Sequence, residues 1–110
     1  AGIGRLRQYA THHEKRNTMT NRRVELSAAP NDAYQRLLKS AAATGKVEES
    51  SDMARYVVCK ARYGLNPVRV RASVLSGPAG ESSVIEFSGR GQDVWGVASR
   101  KVIDSIVRNL

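Results

Sequence analysis

Side chains that could act as nucleophiles or proton carriers are few in this sequence of 110 residues. Cys59 is the single cysteine, and the two histidines, His12 and His13, lie near the start of the chain. A catalytic thiol or hydroxyl needs a base within hydrogen-bonding reach, so a Cys–His pair would require the first residues to fold back onto the rest. We therefore expect Cys59 to be a small buried residue on a strand, and we predict that the protein is not an enzyme.

Two groups of side chains could suggest a metal site. The run at residues 12–14 (His-His-Glu) lacks further ligands, and adjacent residues of a helix do not share a face. The acidic cluster of Glu48, Glu49 and Asp52 lies in a serine-rich polar stretch that is typical of a solvated loop. The sequence therefore predicts neither a metal site nor a cofactor.

The glycines within residues 89–91 (Gly-Arg-Gly) precede a predicted helix, and the N–H groups at the start of a helix can bind phosphate. The longer Walker and dinucleotide-binding patterns are absent. A glycine turn between strand and helix is the plainer interpretation.

Basic residues exceed acidic residues by 18 to 10, which gives a formal net charge of +8. Residues 1–23 carry six basic side chains against one acidic, or +5, whereas the remaining 87 residues carry twelve against nine, or +3. Because Met19 begins a stretch that resembles a natural start (MTNRRVEL), we expect residues 1–18 to be a basic N-terminal arm, either solvated or an extension or cloning remnant. Residues 19–110 are predicted to form a single domain.

Basic and aromatic side chains are interleaved in the central part of the chain, where Tyr56 and Tyr63 lie near Arg55, Lys60 and Arg62. Such a mixture can bind nucleic acid, because bases stack on aromatic rings and phosphates pair with cations. The sequence signature of an RNA-recognition motif is absent, and a solvated sheet face that carries arginines explains the same pattern. The candidate residues for an anionic or protein partner are Arg22, Arg23, Arg55, Arg62, Arg69 and Arg71.

Apolar residues recur with two periods along residues 19–110. The composition and alternation of strands occur at residues 22–27, 53–61, 68–75 and 82–88, while residues 46–49 form either a short strand or a loop. Stripes with the period of a helix run through residues 32–43, ending at Gly45, and through residues 95–110. The predicted fold class is α+β: a two-layer domain in which two helices cover one face of an antiparallel sheet of three to five strands, in the order β-α-β-β-β-α.

The last two strands are predicted to form a hairpin, in which residues facing each other lie on the same side of the sheet. Pairing Ala72 with Ile85 keeps the apolar residues on the core side. The same register places Arg71 opposite Glu86, a favourable charge pair on the outer side, and leaves residues 77–80 as the loop.

The segment at residues 27–38 (SAAPNDAYQRLL) joins the first strand to the first helix, and a meander of strands and a long C-terminal helix follow. This layout resembles the helix-grip and TATA-binding-protein-like domains of small bacterial proteins of unknown function. The segment is also similar to the first strand-to-helix step of START-like lipid- and polyketide-binding proteins. The resemblance covers residues 22–110 and implies a small apolar ligand between the sheet and the C-terminal helix. The candidate residues of that layer are Tyr34, Leu38, Phe87, Trp95 and Ile103.

These patterns predict a non-enzymatic binding or interaction module. The exposed sheet face and the basic arm would bind a protein or nucleic acid, or the sheet would pair with a second copy; a helix-grip domain with an apolar ligand is the alternative. No apolar run approaches the roughly 20 residues that cross a bilayer, and a lone cysteine suits a reducing compartment. We expect a cytoplasmic protein without membrane attachment.

Overall fold

The computed structural model describes residues 18–78, 81–91 and 96–110, except for the side chain of Thr18. These residues form five strands and two helices. The elements, in chain order, are β1 (Thr18–Leu26), α1 (Pro30–Thr44), β2 (Lys46–Ser51), β3 (Tyr56–Tyr63), β4 (Asn66–Ser76), β5 (Ser83–Gly91) and α2 (Val97–Arg108). Residues 1–17 of the predicted arm lie outside the described residues.

All five strands pair antiparallel in one sheet, in the spatial order β1-β5-β4-β3-β2. β1 and β2 are separated in the chain by α1 and form the two edges, and β5 returns to pair with β1. The predicted α+β class, with two helices on one antiparallel sheet, is confirmed. The uncertain strand at residues 46–49 exists as β2.

The alternation in β4 shows why the sheet has two different faces. Val68, Val70 and Ala72 are buried against the helices, whereas Arg69 and Arg71 between them are exposed. We call the side that faces the helices the inner face and the other side the outer face. Successive side chains of a strand point to opposite faces, so every second residue of β4 enters the core and the others remain in water.

Each helix places one apolar stripe against the inner face. In α1, Pro30 occupies the first turn, where its missing N–H costs no hydrogen bond. At the other end, the N–H of Gly45 donates to the carbonyl of Ala41 at 2.9 Å. Neither helix of the described residues has the length and apolar character needed to cross a membrane. The core between helices and sheet includes the buried side chains of Tyr34, Leu37, Ala41, Phe87, Val102, Ile103 and Ile106.

Gly89 on β5 sets how closely α2 approaches the sheet. A Cβ atom at this position would lie 3.0 Å from the Cβ of Ser99 and 3.1 Å from the Cδ1 of Ile103, tighter than such atoms normally pack. Residues 89–91 belong to β5. The prediction that they form a glycine turn between strand and helix is wrong. The glycine permits close packing of strand and helix.

The hairpin of β4 and β5 is shifted by two residues from the predicted register. Glu86 pairs with Ser73 rather than with Arg71, whose partner is Ser88. The faces are as predicted, because a shift of two residues keeps every side chain on its side of the sheet. The apolar alternation fits both registers, and the exposed pair of Arg71 and Glu86 contributes little to the free energy of folding. In the structure the two strands are joined by a longer connection than predicted, residues 77–82. The predicted pair of Ala72 and Ile85 is replaced by Ala72–Phe87 and Val74–Ile85.

Several element boundaries also differ from the prediction. β3 begins at Tyr56 rather than at residue 53, because residues 52–55 form a turn in which Arg55 has a φ of 53°. The acidic cluster predicted as a loop is mostly strand, since Glu48 and Glu49 lie in β2. α2 begins at Val97 rather than at residue 95.

Replacing Gly89 with valine is expected to destabilise the fold by about 1–3 kcal/mol, because the new side chain must push α2 away from β5. Urea unfolding followed by circular dichroism measures this change. Ser88→Val, on the outer face of the same strand, is the matched control and should change stability by less than about 0.5 kcal/mol. Equal losses in the two variants would contradict the packing role of Gly89.

Candidate anion-binding surface

The outer face carries a line of basic side chains that crosses the sheet. Lys46 on β2 lies opposite Lys60 on β3. Lys60 in turn lies opposite Arg69 on β4, which lies opposite Arg90 on β5. All four residues are exposed, and Met19 on β1 continues the line to the other edge. We call Lys46, Lys60, Arg69 and Arg90 the basic row.

Like charges that lie directly opposite each other are unfavourable in a sheet. Neighbouring strands are about 4.8 Å apart, so the backbone positions of the basic row span about 15 Å. Solvent screening keeps the repulsion modest at an exposed surface, and an anion bound across the row would relieve it. The arrangement is therefore suited to a partner that carries several negative charges.

One acidic side chain partly compensates the basic row. The Nε of Arg69 donates to Oε1 of Glu48 at 3.0 Å. Glu48 lies where the register of β2 with β3 shifts, between Val47 and Glu49. The other three members of the basic row form no ion pair with a described residue. Three cations on one face are thus available to an external anion.

Arg71 lies beside the basic row, two residues after Arg69 on β4. Its guanidinium carbon is 4.4 Å from the centroid of the Tyr56 ring, which is a cation–π contact. An open groove of about 690 Å³ runs along this part of the outer face and is shared by Lys60, Arg69, Arg71, Arg90 and the two glutamates of β2. A second groove on the same face also touches Arg71, so the concave surface extends towards β1.

The structure brings some of the predicted arginines to this surface. Arg69 and Arg71 line the groove. Arg62 follows Lys60 by two residues on β3 and is exposed on the same face, opposite Pro67 at the margin of the groove.

The other predicted arginines have partners elsewhere. Arg22 is on the inner side of β1, where it forms an ion pair with Asp104 of α2. Arg23 is on the outer face, 3.6 Å from the carboxylate of Glu86. Arg55 lies in the turn between β2 and β3, and its Nε donates to Oδ1 of Asn31 in α1 at 3.0 Å. Arg22 and Arg23 also line the second groove together with Arg71, whereas Arg55 lines neither groove.

The sequence-based candidates do not include Lys46 and Arg90, although these two residues are half of the basic row. Lys46 falls in a stretch with an uncertain strand, and Arg90 falls in a predicted turn. The signal in the sequence is one basic residue at an outward position of each of four strands. Only the strand register shows that these positions face each other.

The described residues of the predicted ligand layer lie in the core between the sheet and the helices. Tyr34, Phe87 and Ile103 are at most 2% exposed, and Leu38 is partly buried against the same core. Burial raises the pKa of Tyr34. Neither groove of the outer face is lined by Tyr34, Leu38 or Ile103. Trp95 lies outside the described residues.

Cys59 lies on the inner face of β3 and is buried. Its Sγ donates to the carbonyl of Ala41 at 3.4 Å. Burial raises the pKa of the Cys59 thiol, and the negative charge of Glu48 raises it further. A neutral, buried thiol is a poor nucleophile. In the described part of the chain, no group of three or more His, Cys, Asp or Glu side chains could hold a metal ion.

The sequence matches none of the known protein-family models and none of the curated proteins.

We expect the Cys59 thiol of the folded protein to react with a disulfide reagent only as fast as the protein unfolds, because the sulfur is buried and protonated. Absorbance of the released thiolate measures the rate. Leu75→Cys places a second thiol at an exposed position of β4 and is the control that should react at once. Rapid reaction of the native Cys59 would show that the thiol is accessible.

The raised pKa of Cys59 also predicts a pH dependence. Above the ordinary thiol pKa, the unfolded chain releases the proton while the folded chain still holds it, so the free energy of unfolding should fall as the pH rises. Cys59→Ala should remove this part of the dependence. Parallel stability curves for the two proteins between about pH 7 and about pH 10 would contradict the raised pKa.

Proposed function

We propose that this protein is a non-enzymatic binding module whose outer sheet face binds a polyanionic partner. The observation that carries the proposal is the basic row, in which four cations on four neighbouring strands lie directly opposite each other. A fold that served only to bury its core would gain nothing from this alignment, because each contact within the row is repulsive.

Charge neutralisation supplies the affinity in this proposal. A polyanion laid across the strands meets the basic row along its length and releases the counterions that the phosphates or carboxylates held. Glu48 already neutralises part of the charge of Arg69, and this lowers the affinity for the polyanion. Arg71 adds a fifth cation beside the row, and the groove admits the partner to all of these side chains except Lys46.

Nucleic acid is the more specific partner that the geometry favours. The guanidinium of Arg71 is held over the Tyr56 ring, so the opposite face of its plane is available to stack on a base. Cations that pair with phosphates beside a stacking group are the combination that single-stranded nucleic acid requires. The resemblance to helix-grip and TATA-binding-protein-like domains concerns only the architecture, which is a sheet with helices on one face.

The alternative, an apolar ligand between sheet and helices, has less support. Three of its four described candidates are buried in the packed core, and the ligand would have to displace them. This alternative makes a distinct prediction, since such a ligand would bind without regard to salt concentration.

Binding of a single-stranded oligonucleotide of about 15 nucleotides, followed by fluorescence anisotropy, tests the proposal. The logarithm of the affinity should fall with the logarithm of the salt concentration, with a slope of about −0.7 for each phosphate that is neutralised. The double variant Lys60→Gln, Arg90→Gln should bind more weakly and should flatten the slope by about 1.4. Glu48→Gln should bind more tightly than the unmodified protein.

The matched control is Lys39→Gln, Lys101→Gln, which removes the same charge from exposed positions of the helices. It should leave affinity and slope almost unchanged. Equal weakening by both double variants would mean that net charge alone attracts the oligonucleotide, and would contradict a site on the outer face. Polyglutamate as a second probe separates nucleic-acid recognition from binding of any polyanion.

Removal of residues 1–17 measures the contribution of the predicted arm. If binding belongs to the outer face, the truncated protein should retain the difference between the two double variants. Loss of that difference would assign the binding to the arm.

A further inference from the structure

The two edges of the sheet are built differently. β2 is six residues long, carries three charged side chains and has a bulge between Val47 and Glu49, all of which discourage pairing with another strand. β1 is nine residues long, contains no proline and keeps an unbroken register with β5. Among the described residues, β5 is the only strand beside it. β1 therefore presents a row of backbone N–H and C=O groups that no other described strand pairs with.

We propose that the free edge of β1 binds β1 of a second copy of this chain, antiparallel, around a two-fold axis at Val24. The pairing joins two five-stranded sheets into one sheet of ten strands. A two-fold contact between identical strands must be self-complementary, and the charges of β1 meet this condition in one register. The proposal does not depend on anion binding.

The register follows from the order of charges along β1. Because residues that lie opposite each other share a face, the axis passes between two copies of the same residue. An axis at Arg22, Arg23 or Glu25 sets that side chain against its own copy, which is a contact of like charges. An axis at Asn21 creates no pair of opposite charges. An axis at Val24 pairs Arg23 with Glu25 of the second copy, and this pair occurs twice.

The side chains around Val24 can accept this contact. Arg23 is 67% exposed and lies 3.6 Å from Glu86, and a guanidinium has enough N–H donors to bind a second carboxylate on its free side. Val24 packs at the margin of the core and is only partly buried. Its copy would cover apolar surface that one chain leaves in water.

α2 holds β1 in the conformation that the pairing needs. The hydroxyls of Thr20 and Ser99 are hydrogen-bonded at 2.7 Å, and Arg22 forms its ion pair with Asp104. Both contacts are on the inner side of β1 and leave the outer charges free. An edge strand that is already ordered loses little conformational entropy when it pairs.

Sedimentation velocity of the full chain over a range of concentrations tests the proposal. The unmodified protein should form a dimer. Arg23→Glu and Glu25→Arg should each raise the dissociation constant by about tenfold or more, because each sets like charges against each other twice. An equimolar mixture of the two variants should recover dimerisation, since every contact between the unlike chains again joins opposite charges.

Two results would overturn the inference: a monomer at every concentration, or a mixture that associates no better than the separate variants. Circular dichroism shows whether each variant is folded. This control is needed because the carboxylate introduced by Arg23→Glu also faces Glu86. A mixture that recovers the dimer excludes misfolding as the cause of dissociation.

A disulfide tests the position of the axis independently. In the Val24→Cys variant, the two introduced thiols would face each other across the axis, at the Cα separation of about 4.5–5.5 Å that a disulfide spans, so mild oxidation should cross-link the dimer. Thr20→Cys is on the same face, but its two copies would lie about 26 Å apart and should not cross-link. Equal cross-linking of the two variants, or none in Val24→Cys, would contradict an axis at Val24.

Discussion

Both helices bury their apolar stripes against the same face of one sheet, and the rest of the structure follows from that packing. Gly89 allows α2 to lie close to β5, and the inner residues of β3, β4 and β5 fill the space beneath the helices. Since strands alternate their side chains, every position between these core residues is turned to the opposite face. The helices therefore determine which basic side chains share the outer face.

Much of the architecture could be predicted from the sequence, because apolar periodicity distinguishes helix from strand and one face from the other. The alternation of β4 places Arg69 and Arg71 on the outer face, and the structure agrees. Periodicity is insensitive to a shift of two residues, so the register of β4 with β5 was predicted wrongly. The basic row depends on the registers of three strand pairs, and no local pattern shows that Lys60 faces Arg69 or that Arg69 faces Arg90.

The two proposed surfaces occupy different parts of the sheet and are compatible. The basic row meets β1 at Met19, five residues from Val24, while the proposed pairing uses the free edge of β1 around Val24. A two-fold axis perpendicular to the sheet would keep both basic rows on one continuous outer face. The rows would be offset by about 33 Å along the strand direction, which would let one long polyanion or two separate partners bind the dimer.

The outer face, rather than the helix layer, is the proposed binding surface. Amide chemical shifts of the ¹⁵N-labelled protein during titration with a single-stranded oligonucleotide test it residue by residue. The largest changes are expected in β3, β4 and β5 around Lys60, Arg69 and Arg90, while the amides of α1 stay unchanged. Changes confined to the helices, or spread evenly over all exposed basic residues, would contradict it.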